Sequence, residues 1–348
     1  MSPARRRERI LHNAAEVVTE EEFAALLEGG GKPKAYIGLE PSGFLHLGTG
    51  PLVAWKITDL VEAGFDVTIL LADWHAYIND KFGGDWEAIH TAAEYFVEAY
   101  SALGVPDSVR YVYASDLVQE DEYWRDVLRV LKASTLARIR RALDIMGRKE
   151  EEADLDASKL VYPAMQVTDI HALDLDLAYG GLDQRHGHML YRDVAPKLGW
   201  KQVVALHTPL LTGLQGGGRM DAWDFKMSKS RPETSIFVHD QPEEIAAKVE
   251  RAYAKPREVK GNPLLEFYRL LLFPHIGPIT LEREKRHGGD VTYEDYAALE
   301  SDYRKGGLHP KDLKAAGIRD LTALLEPART YFERHPDGLR RVQELVSE

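Results

Sequence analysis

Two short segments carry residue types that suit phosphate chemistry. Residues 46–51 (HLGTGP) place a histidine and two glycines at the start of a predicted helix. Backbone N–H groups at a helix start favour anions, glycines let a phosphate approach the backbone, and an imidazole can donate to a phosphoryl oxygen. Residues 226–230 (KMSKS) offer two cations and two hydroxyls that could clamp a polyphosphate. A plain glycine-rich turn and a solvated lysine loop are the alternatives.

A third segment, residues 161–171 (VYPAMQVTDIH), predicts a helix with a polar stripe. Tyr162, Gln166 and Asp169 are spaced i, i+4 and i+7, so they share one face among small or apolar neighbours. Buried polar groups without hydrogen bonds cost about 1–3 kcal/mol each, so a buried stripe needs a polar partner. The stripe therefore indicates either a pocket for a small polar ligand or a solvent-exposed face.

The elements that must position these residues read as an α/β fold. Apolar runs predict strands at 35–39, 67–72, 110–114 and 202–206, and helical spacing predicts a helix over 51–61. A strand, a helix and a strand in that order form a βαβ unit. We therefore expect a Rossmann-like, parallel sheet, with residues 46–51 directly after its first strand.

The length of 348 residues predicts about two domains. We expect a helical N-terminal extension over 1–34, ending in a Gly/Pro breaker, and a catalytic domain over 35–232. After residue 232 the pattern becomes mostly helical, as at 242–249 and 338–346. Residues 233–348 are therefore predicted to form a second, mostly helical domain.

Composition excludes several classes of protein. The chain has no cysteine, which removes disulfides, thiolate catalysis and Cys-type zinc sites. The net charge of −12 argues against a general nucleic-acid binder, although a local basic strip could still serve one. His186 and His188 lack further ligands at metal spacing, so we expect no metal site. No secretory signal and no apolar run of about 18 residues is present, so we expect a cytoplasmic protein that does not span a membrane.

The two phosphate-binding candidates resemble the paired signatures of the class I aminoacyl-tRNA synthetases. KMSKS matches at all five positions, and the first box matches at His46 and Gly48, with Thr49 in place of its final histidine. Four longer strings resemble the archaeal- or eukaryotic-type tyrosyl-tRNA synthetases. They are residues 35–47 (AYIGLEPSGFLHL), 70–77 (LLADWHAY), 161–171 and 180–185 (GGLDQR). The similarity covers about residues 10 to 330, including a connective insertion at about 118–160 and an anticodon-reading C-terminal domain.

The resemblance implies a role for each matching residue. Tyr36 and Asp169 would hold the phenol hydroxyl of tyrosine, Tyr162 and Gln166 would face its amino end, and Gln184, Glu40, Ala72 and His75 would complete the pocket. His46, Lys226 and Lys229 would be catalytic. The implied ATP-binding residues are Gly38, His46, Gly48, Thr49, Lys226, Met227, Ser228, Lys229 and Ser230. The implied tRNA-binding residues are Arg138, Arg141, Arg185, His287, His309 and Asp312.

Local charge and chemistry bear on the RNA contacts. Residues 131–150 hold six basic and two acidic side chains, which fits either the acceptor-stem and dimer contact that the family makes with its insertion or a solvated helix face. Asp312 could accept from the edge of a guanine, and His287 or His309 could stack on a base.

Together these observations predict an enzyme that activates L-tyrosine with ATP, carried in as its Mg²⁺ complex, and transfers it to tRNA(Tyr), as a homodimer. An indole offers only an N–H donor, so the Tyr36–Asp169 pair favours tyrosine over the nearest rival, a tryptophanyl-tRNA synthetase. A small-molecule nucleotidyltransferase with an HxGx box and a non-catalytic RNA-binding paralogue remain as further alternatives.

Overall fold

The computed structural model describes residues 1–147, 156–216, 227 and 232–347, without the side chain of His287. Within these residues, helices α1 to α16 are Pro3–Leu11, Glu20–Glu28, Pro51–Glu62, Asp73–Ile78, Trp86–Ala102, Ala114–Leu117, Asp121–Ala133, Leu136–Arg141, Tyr162–Ala172, Arg185–Leu198, Pro242–Arg251, Pro263–Phe267, Phe273–Ile276, Tyr296–Lys305, Pro310–Arg334 and Pro336–Ser347. Strands β1 to β8 are Glu16–Val18, Lys34–Leu39, Asp66–Leu71, Arg110–Tyr113, Leu177–Gly181, Val204–Thr208, Ile279–Leu281 and Val291–Tyr293.

In the described part of the chain, the main sheet has the strand order β1-β6-β5-β2-β3-β4. The strands β2 to β6 pair in parallel, and β1 alone pairs antiparallel, with β6. In the sheet, β3 and β4 lie on one side of β2, whereas β5 and β6, which come later in the chain, lie on its other side. The strand order therefore reverses between β2 and β5, and ligands of open α/β sheets bind outside the carboxyl ends of the strands at such a point.

The predicted parallel α/β fold is confirmed, with three differences. The first three predicted strands lie within one residue of β2, β3 and β4, whereas the fourth runs over 204–208 instead of 202–206. The strand β5 was missed because its two glycines resemble a turn. The helical prediction for 1–34 is wrong at 16–18, where β1 pairs with the edge of β6, a long-range contact that three residues do not signal locally.

Helix α3 begins as predicted, because Pro51 suits a first helical position and Gly50 precedes it. Strands β3 and β6 are buried along nearly their whole length, which accounts for their continuous apolar sequence. Beyond residue 232 the described structure is mostly helical, with one two-stranded antiparallel sheet of β7 and β8. No helix in the described ranges is both long and apolar enough to cross a membrane.

Two hydrophobic clusters connect the C-terminal helices to the sheet region. One contains Phe332 of α15 and Val342 of α16 together with strand residues of β2 and β3. The other joins Leu47 and Leu52, at the start of α3, to Met227 and to residues of α11, α12 and α15. The segments around the two signature boxes thus share a core with the C-terminal helices. The predicted division into domains at residue 232 stays a prediction.

Candidate active site

A cavity of about 620 Å³ opens at the carboxyl ends of β2 and β5. Gly38 and Glu40 line it from β2 and the residue after it, and Gly180 and Gly181 line it from β5. It lies at the reversal of strand order, where the topology predicts a ligand. Six further residues that the sequence predicts for the site also line the cavity: His46, Gly48, Thr49, Tyr162, Gln184 and Met227.

The polar stripe of α9 is buried, which excludes the alternative of a solvent-exposed face for this helix. Tyr162, Gln166 and Asp169 are 5 %, 9 % and 1 % exposed. The Asp169 carboxylate accepts from the Tyr123 hydroxyl at 2.7 Å through Oδ1, and its Oδ2 lies 3.2 Å from Nε2 of His75. A buried carboxylate is thus held by two groups, one from α7 and one from α4.

The phenol groups beside Asp169 remain protonated. Burial, together with the nearby Asp169 carboxylate, raises the pKa of Tyr36 well above its ordinary value, against a smaller opposing effect of the Gln166 amide. Burial and Asp169 likewise raise the pKa of Tyr123 well above its ordinary value. Burial lowers the pKa of His75, but the Asp169 carboxylate outweighs this and leaves it raised overall. Asp169 therefore stands among hydrogen-bond donors.

A second layer of residues lies between this buried group and the cavity. The Tyr162 hydroxyl donates to Glu40, and its ring packs edge-on against His75 with centroids 4.8 Å apart. The Gln166 amide donates to Oε1 of Gln184 at 3.1 Å. Glu40, Tyr162 and Gln184 line the cavity, whereas Tyr36, Ala72, His75, Gln166 and Asp169 are buried around and behind them. Three of the eight predicted tyrosine-binding residues thus line the cavity, and the other five are buried.

The turn after residue 45 fixes the His46 ring. The Gly48 N–H donates to His46 Nδ1 at 3.1 Å, which leaves the ring proton on Nε2. The N–H groups of Thr49 and Gly50 both donate to the His46 carbonyl, at 3.0 and 2.6 Å. These two N–H groups are thus engaged within the turn, and the dipole of α3 is a further feature that favours an anion at the helix start. The predicted phosphate binding by this turn stays a prediction. The Thr49 hydroxyl accepts from the His46 N–H, so it braces the turn.

The second signature box is described at one residue. Met227 lines the cavity, and its N–H donates to the Leu211 carbonyl at 2.7 Å. The Leu214 N–H donates to the Thr234 carbonyl at 2.9 Å, so the segments on either side of the box are joined at their base. Lys226, Ser228, Lys229 and Ser230 lie outside the described residues.

Comparison with known proteins decides the family. A family model described as tRNA synthetases class I (W and Y) matches residues 28–326. The tyrosine–tRNA ligase of Saccharolobus islandicus (strain M.14.25) is 48 % identical, over 99 % of this chain and 98 % of its own length. The crystal structure of tyrosyl-tRNA synthetase from Aeropyrum pernix has a TM-score of 0.89 and 46 % identity, with 100 % of both chains covered. That of the Pyrococcus horikoshii enzyme complexed with L-tyrosine has a TM-score of 0.92 and 38 % identity, over 99 % of this chain and 100 % of that one.

The chain belongs to the archaeal-type class I tyrosyl-tRNA synthetases. It is therefore an aminoacyl-tRNA synthetase, with the Rossmann-like fold of that class, as the sequence predicted. In this synthetase the His46 turn and Tyr162 line the same cavity, and Tyr162 packs against His75, which contacts the buried Asp169.

Of the predicted RNA contacts in the insertion and after β5, two side chains are held against the body of the synthetase. Arg138 donates through Nε to Asp193 at 2.7 Å, and Arg185 donates through Nε to Glu16 at 2.6 Å. Arg141 is exposed. In the C-terminal part of the synthetase, His309 precedes α15 and its Nδ1 accepts from the Lys311 N–H at 3.1 Å, while Asp312 lies in the first turn. The side chain of His287 lies outside the described residues.

The two histidines considered for a metal pair with other groups. His188 Nδ1 lies 3.0 Å from Nε2 of the buried His207, and burial lowers the pKa of His188 well below its ordinary value. His186 Nδ1 lies 2.5 Å from a carboxylate oxygen of Asp144. Within the described ranges, no three histidine or acidic side chains are grouped so that they could hold a metal ion.

Sequence reasoning missed three contributors to the site. Tyr123 holds Asp169, Lys81 lines the cavity with its ammonium 3.3 Å from Glu40, and residues 145–147 of the insertion form part of the wall. Lys81 is the fourth residue after the LLADWHAY string and could have been found as a lone cation beside a motif. Nothing local marks Tyr123, because its partner is 46 residues away.

Proposed function

We propose that this synthetase activates L-tyrosine with ATP and passes the tyrosyl group to the 3′ end of tRNA(Tyr). The observation that carries the proposal is the buried Asp169 carboxylate, which Tyr123 and His75 hold next to the cavity-lining residue Tyr162. The His46 turn lines the same cavity. The membership of the tyrosyl family and the relative complexed with L-tyrosine support it.

Recognition of the phenol follows from the number of hydrogen bonds that Asp169 and Tyr36 can still make. Each oxygen of an ionised carboxylate has two lone pairs, and one contact on each oxygen leaves Asp169 able to accept from a substrate hydroxyl. The Tyr36 hydroxyl, kept protonated by its raised pKa, can donate to the same phenol oxygen. Phenylalanine would leave Asp169 and Tyr36 without this partner. In tyrosyl-tRNA synthetases this penalty is known to reach about 10⁵-fold without an editing site.

The amino-acid end would lie against the outer layer. Tyr162, Gln166 and Gln184 face this end, and the Glu40 carboxylate adds a negative charge beside them. Lys81 supplies the one cation on the cavity wall among the described residues. The substrate ammonium and carboxylate thus meet groups of opposite charge, which orients the carboxylate toward the His46 turn.

In the activation step, a tyrosine carboxylate oxygen attacks the α-phosphorus of ATP. A new oxygen–phosphorus bond forms, the bond to the β-phosphate oxygen breaks, and pyrophosphate leaves with Mg²⁺. No general base is needed, because the carboxylate is already ionised. His46 would donate from Nε2 to a phosphate oxygen, and Lys226 and Lys229 would hold the β- and γ-phosphates. The ribose hydroxyl of tRNA then attacks the carbonyl carbon, and AMP leaves.

ATP–pyrophosphate exchange across the twenty amino acids tests the proposal. We expect exchange with tyrosine alone. Exchange driven by tryptophan would support the tryptophanyl alternative. If none of the twenty amino acids supports exchange, a small-molecule nucleotidyltransferase would be favoured. Activity of the Lys229→Ala variant near wild type would refute the polyphosphate role of the second box.

The remaining partners follow from the surface. We propose that Arg138, Arg141 and Arg185 meet the acceptor stem and that His287, His309 and Asp312 read anticodon bases, in the cytoplasm, where tRNA is charged. We also propose a homodimer that pairs through α7 and α8. Trp124, Leu128 and Leu136 on these helices are 42 %, 66 % and 57 % exposed, and large apolar side chains exposed together mark an interaction surface.

A further inference from the structure

Two arginine side chains lie at the glycines 306–307 that follow helix α14, where the Asp302 carboxylate also packs against Gly307. The Arg257 guanidinium lies so close to Gly306 that an added Cβ would meet its Nε at 2.5 Å. Arg283 donates to the Gly307 carbonyl at 3.1 Å. Lys305 directly precedes the glycines, and Lys260 lies on the same loop as Arg257. Arg257, Lys260, Arg283 and Lys305 are called the α14 basic patch below.

The charge of the patch stands out against an acidic protein. Residues 250–262 and 302–314 hold eight basic and four acidic side chains, an excess of four positive charges in a chain of net charge −12. The neighbouring Lys255 and Arg304 are neutralised by ion pairs with glutamates. Arg257, Lys260 and Lys305 are exposed and have no ion-pair partner among the residues that the structure describes. These three charges are therefore presented to solvent.

The loop that carries two of these cations is held at both ends. The Tyr253 N–H donates to the Leu214 carbonyl at 2.7 Å. The Asn262 amide donates to the Tyr303 hydroxyl at 3.2 Å, and that hydroxyl donates to the Lys255 carbonyl at 2.9 Å. Because its backbone is fixed, the loop presents its charges without the ordering cost of a flexible segment.

The backbone of Arg257 is unusual. Its φ of 66° is left-handed, a conformation that costs energy for a residue with a side chain. This conformation accompanies the placement of its guanidinium over Gly306, whose own φ is 87°. A strained arginine on a fixed loop points to a role for that guanidinium beyond packing.

We propose that the α14 basic patch binds the sugar–phosphate backbone of tRNA. The inference rests on the proposed function, which makes tRNA a substrate. An acidic chain repels RNA overall, so binding requires a local positive surface, and arginine and lysine are the side chains that contact phosphates. The patch ends two residues before His309, the proposed base-contacting residue, so it would hold the backbone of the arm whose bases are read there.

The loop that carries Arg257 and Lys260 also contacts the described residues that flank the second signature box. Tyr253 bonds to Leu214, which in turn pairs with Thr234 across the base of the segment that holds KMSKS. A Cβ added at Gly216 would meet the Tyr253 ring at 2.5 Å, so this side chain packs directly on that base. RNA bound at the patch would therefore lie next to the support of the ATP-binding segment.

The test is a triple variant, Arg257→Gln, Lys260→Gln and Lys305→Gln. The matched control removes three other exposed cations that have no ion-pair partner among the described residues, with Arg5→Gln, Lys32→Gln and Arg334→Gln. Binding of a tRNA(Tyr) transcript is measured as a function of salt, and tyrosine-dependent pyrophosphate exchange without tRNA reports folding and the first reaction. Each lost phosphate contact lowers the slope of log K against log salt by roughly 0.7–0.9.

We expect the patch variant to lose about two units of salt slope and about 10- to 100-fold in tRNA affinity at about 0.1 M salt. Its pyrophosphate exchange should equal that of the wild type, and the control should keep its slope. An unchanged slope in the patch variant, or an equal fall in the control, would overturn the proposal. If the wild type exchanges pyrophosphate with tyrosine, the proposed activation stands whatever the patch does. If the wild type binds no tRNA, the proposed transfer to tRNA and the patch proposal both fail.

Discussion

The hydroxyl of Tyr123 is expected to matter for tyrosine recognition although it lies outside the sequence motifs. It donates to Asp169 at 2.7 Å and is buried with that carboxylate. Replacing Tyr123 by phenylalanine removes only this hydroxyl. A hydrogen bond to a charged group contributes about 1.5–3 kcal/mol, and part of this persists because the substrate hydroxyl can still donate to Asp169. A net loss of about 1–2 kcal/mol corresponds to roughly 5- to 30-fold in kcat/KM for tyrosine.

Pyrophosphate exchange at varied tyrosine and varied ATP measures this effect. The KM for ATP should stay constant, because the Tyr123 hydroxyl bonds to Asp169 and Met165 and does not line the cavity beside His46. The matched control is Tyr191→Phe, which removes a buried hydroxyl that donates to the Lys201 carbonyl at 2.9 Å, outside the site. Both variants should lose similar stability. If Tyr123→Phe lowers the melting temperature as the control does, yet keeps wild-type kcat/KM for tyrosine, Tyr123 only packs and the reasoning is refuted.

Three further outcomes are expected. Gly187→Ala should raise the KM for tyrosine by about tenfold, because its Cβ would lie 2.1 Å from Oε1 of Gln166 and must displace that amide; kinetics at varied tyrosine measures it. The raised pKa of His75 beside Asp169 stabilises the fold below about pH 6.5, and this contribution is lost as the pH rises through the folded-state pKa. Urea unfolding should therefore show a steeper loss of stability as the pH rises above about 6.5 in the wild type than in His75→Gln. Leu128→Glu should convert the proposed homodimer to monomers in sedimentation at micromolar concentration.

Two control variants accompany the Gly187→Ala and Leu128→Glu predictions. Gly317→Ala places a Cβ at an ordinary 3.6 Å from the Tyr268 hydroxyl, so it should leave the KM for tyrosine unchanged. Ile276→Glu introduces the same charge at another exposed apolar residue and should leave the association state unchanged. A KM shift in the first, equal pH profiles for the wild type and His75→Gln, or dissociation by Ile276→Glu would each contradict the corresponding argument.

Much of the fold could be predicted because its signals are local. The continuous apolar runs of β2 and β3 and the helical spacing of α3 lie within short windows, so each element was located within about one residue. The strands β1 and β5 escaped prediction. The first is three residues long and exists through pairing with β6, and the second carries glycines that elsewhere mark turns.

In the candidate site, too, the features that depend on local spacing could be predicted, and those that depend on three-dimensional geometry could not. The stripe of Tyr162, Gln166 and Asp169 follows from spacing on one helix, and its burial removed the alternative of an exposed face. The engagement of the backbone N–H groups after His46 was not predictable, because it depends on the exact geometry of the turn. The roles of the predicted residues stay predictions.

The sequence by itself determined which side chains share a helix face, which segments follow a strand and which family the motifs resemble, since these depend on spacing along the chain. Only the tertiary structure decided that Tyr123 and His75 hold Asp169, that Lys81 lies on the cavity wall and that the α14 basic patch assembles from three segments. Such contacts join residues that are far apart in the chain, and the packing of separate elements, which no short window of sequence encodes, brings them within hydrogen-bonding distance.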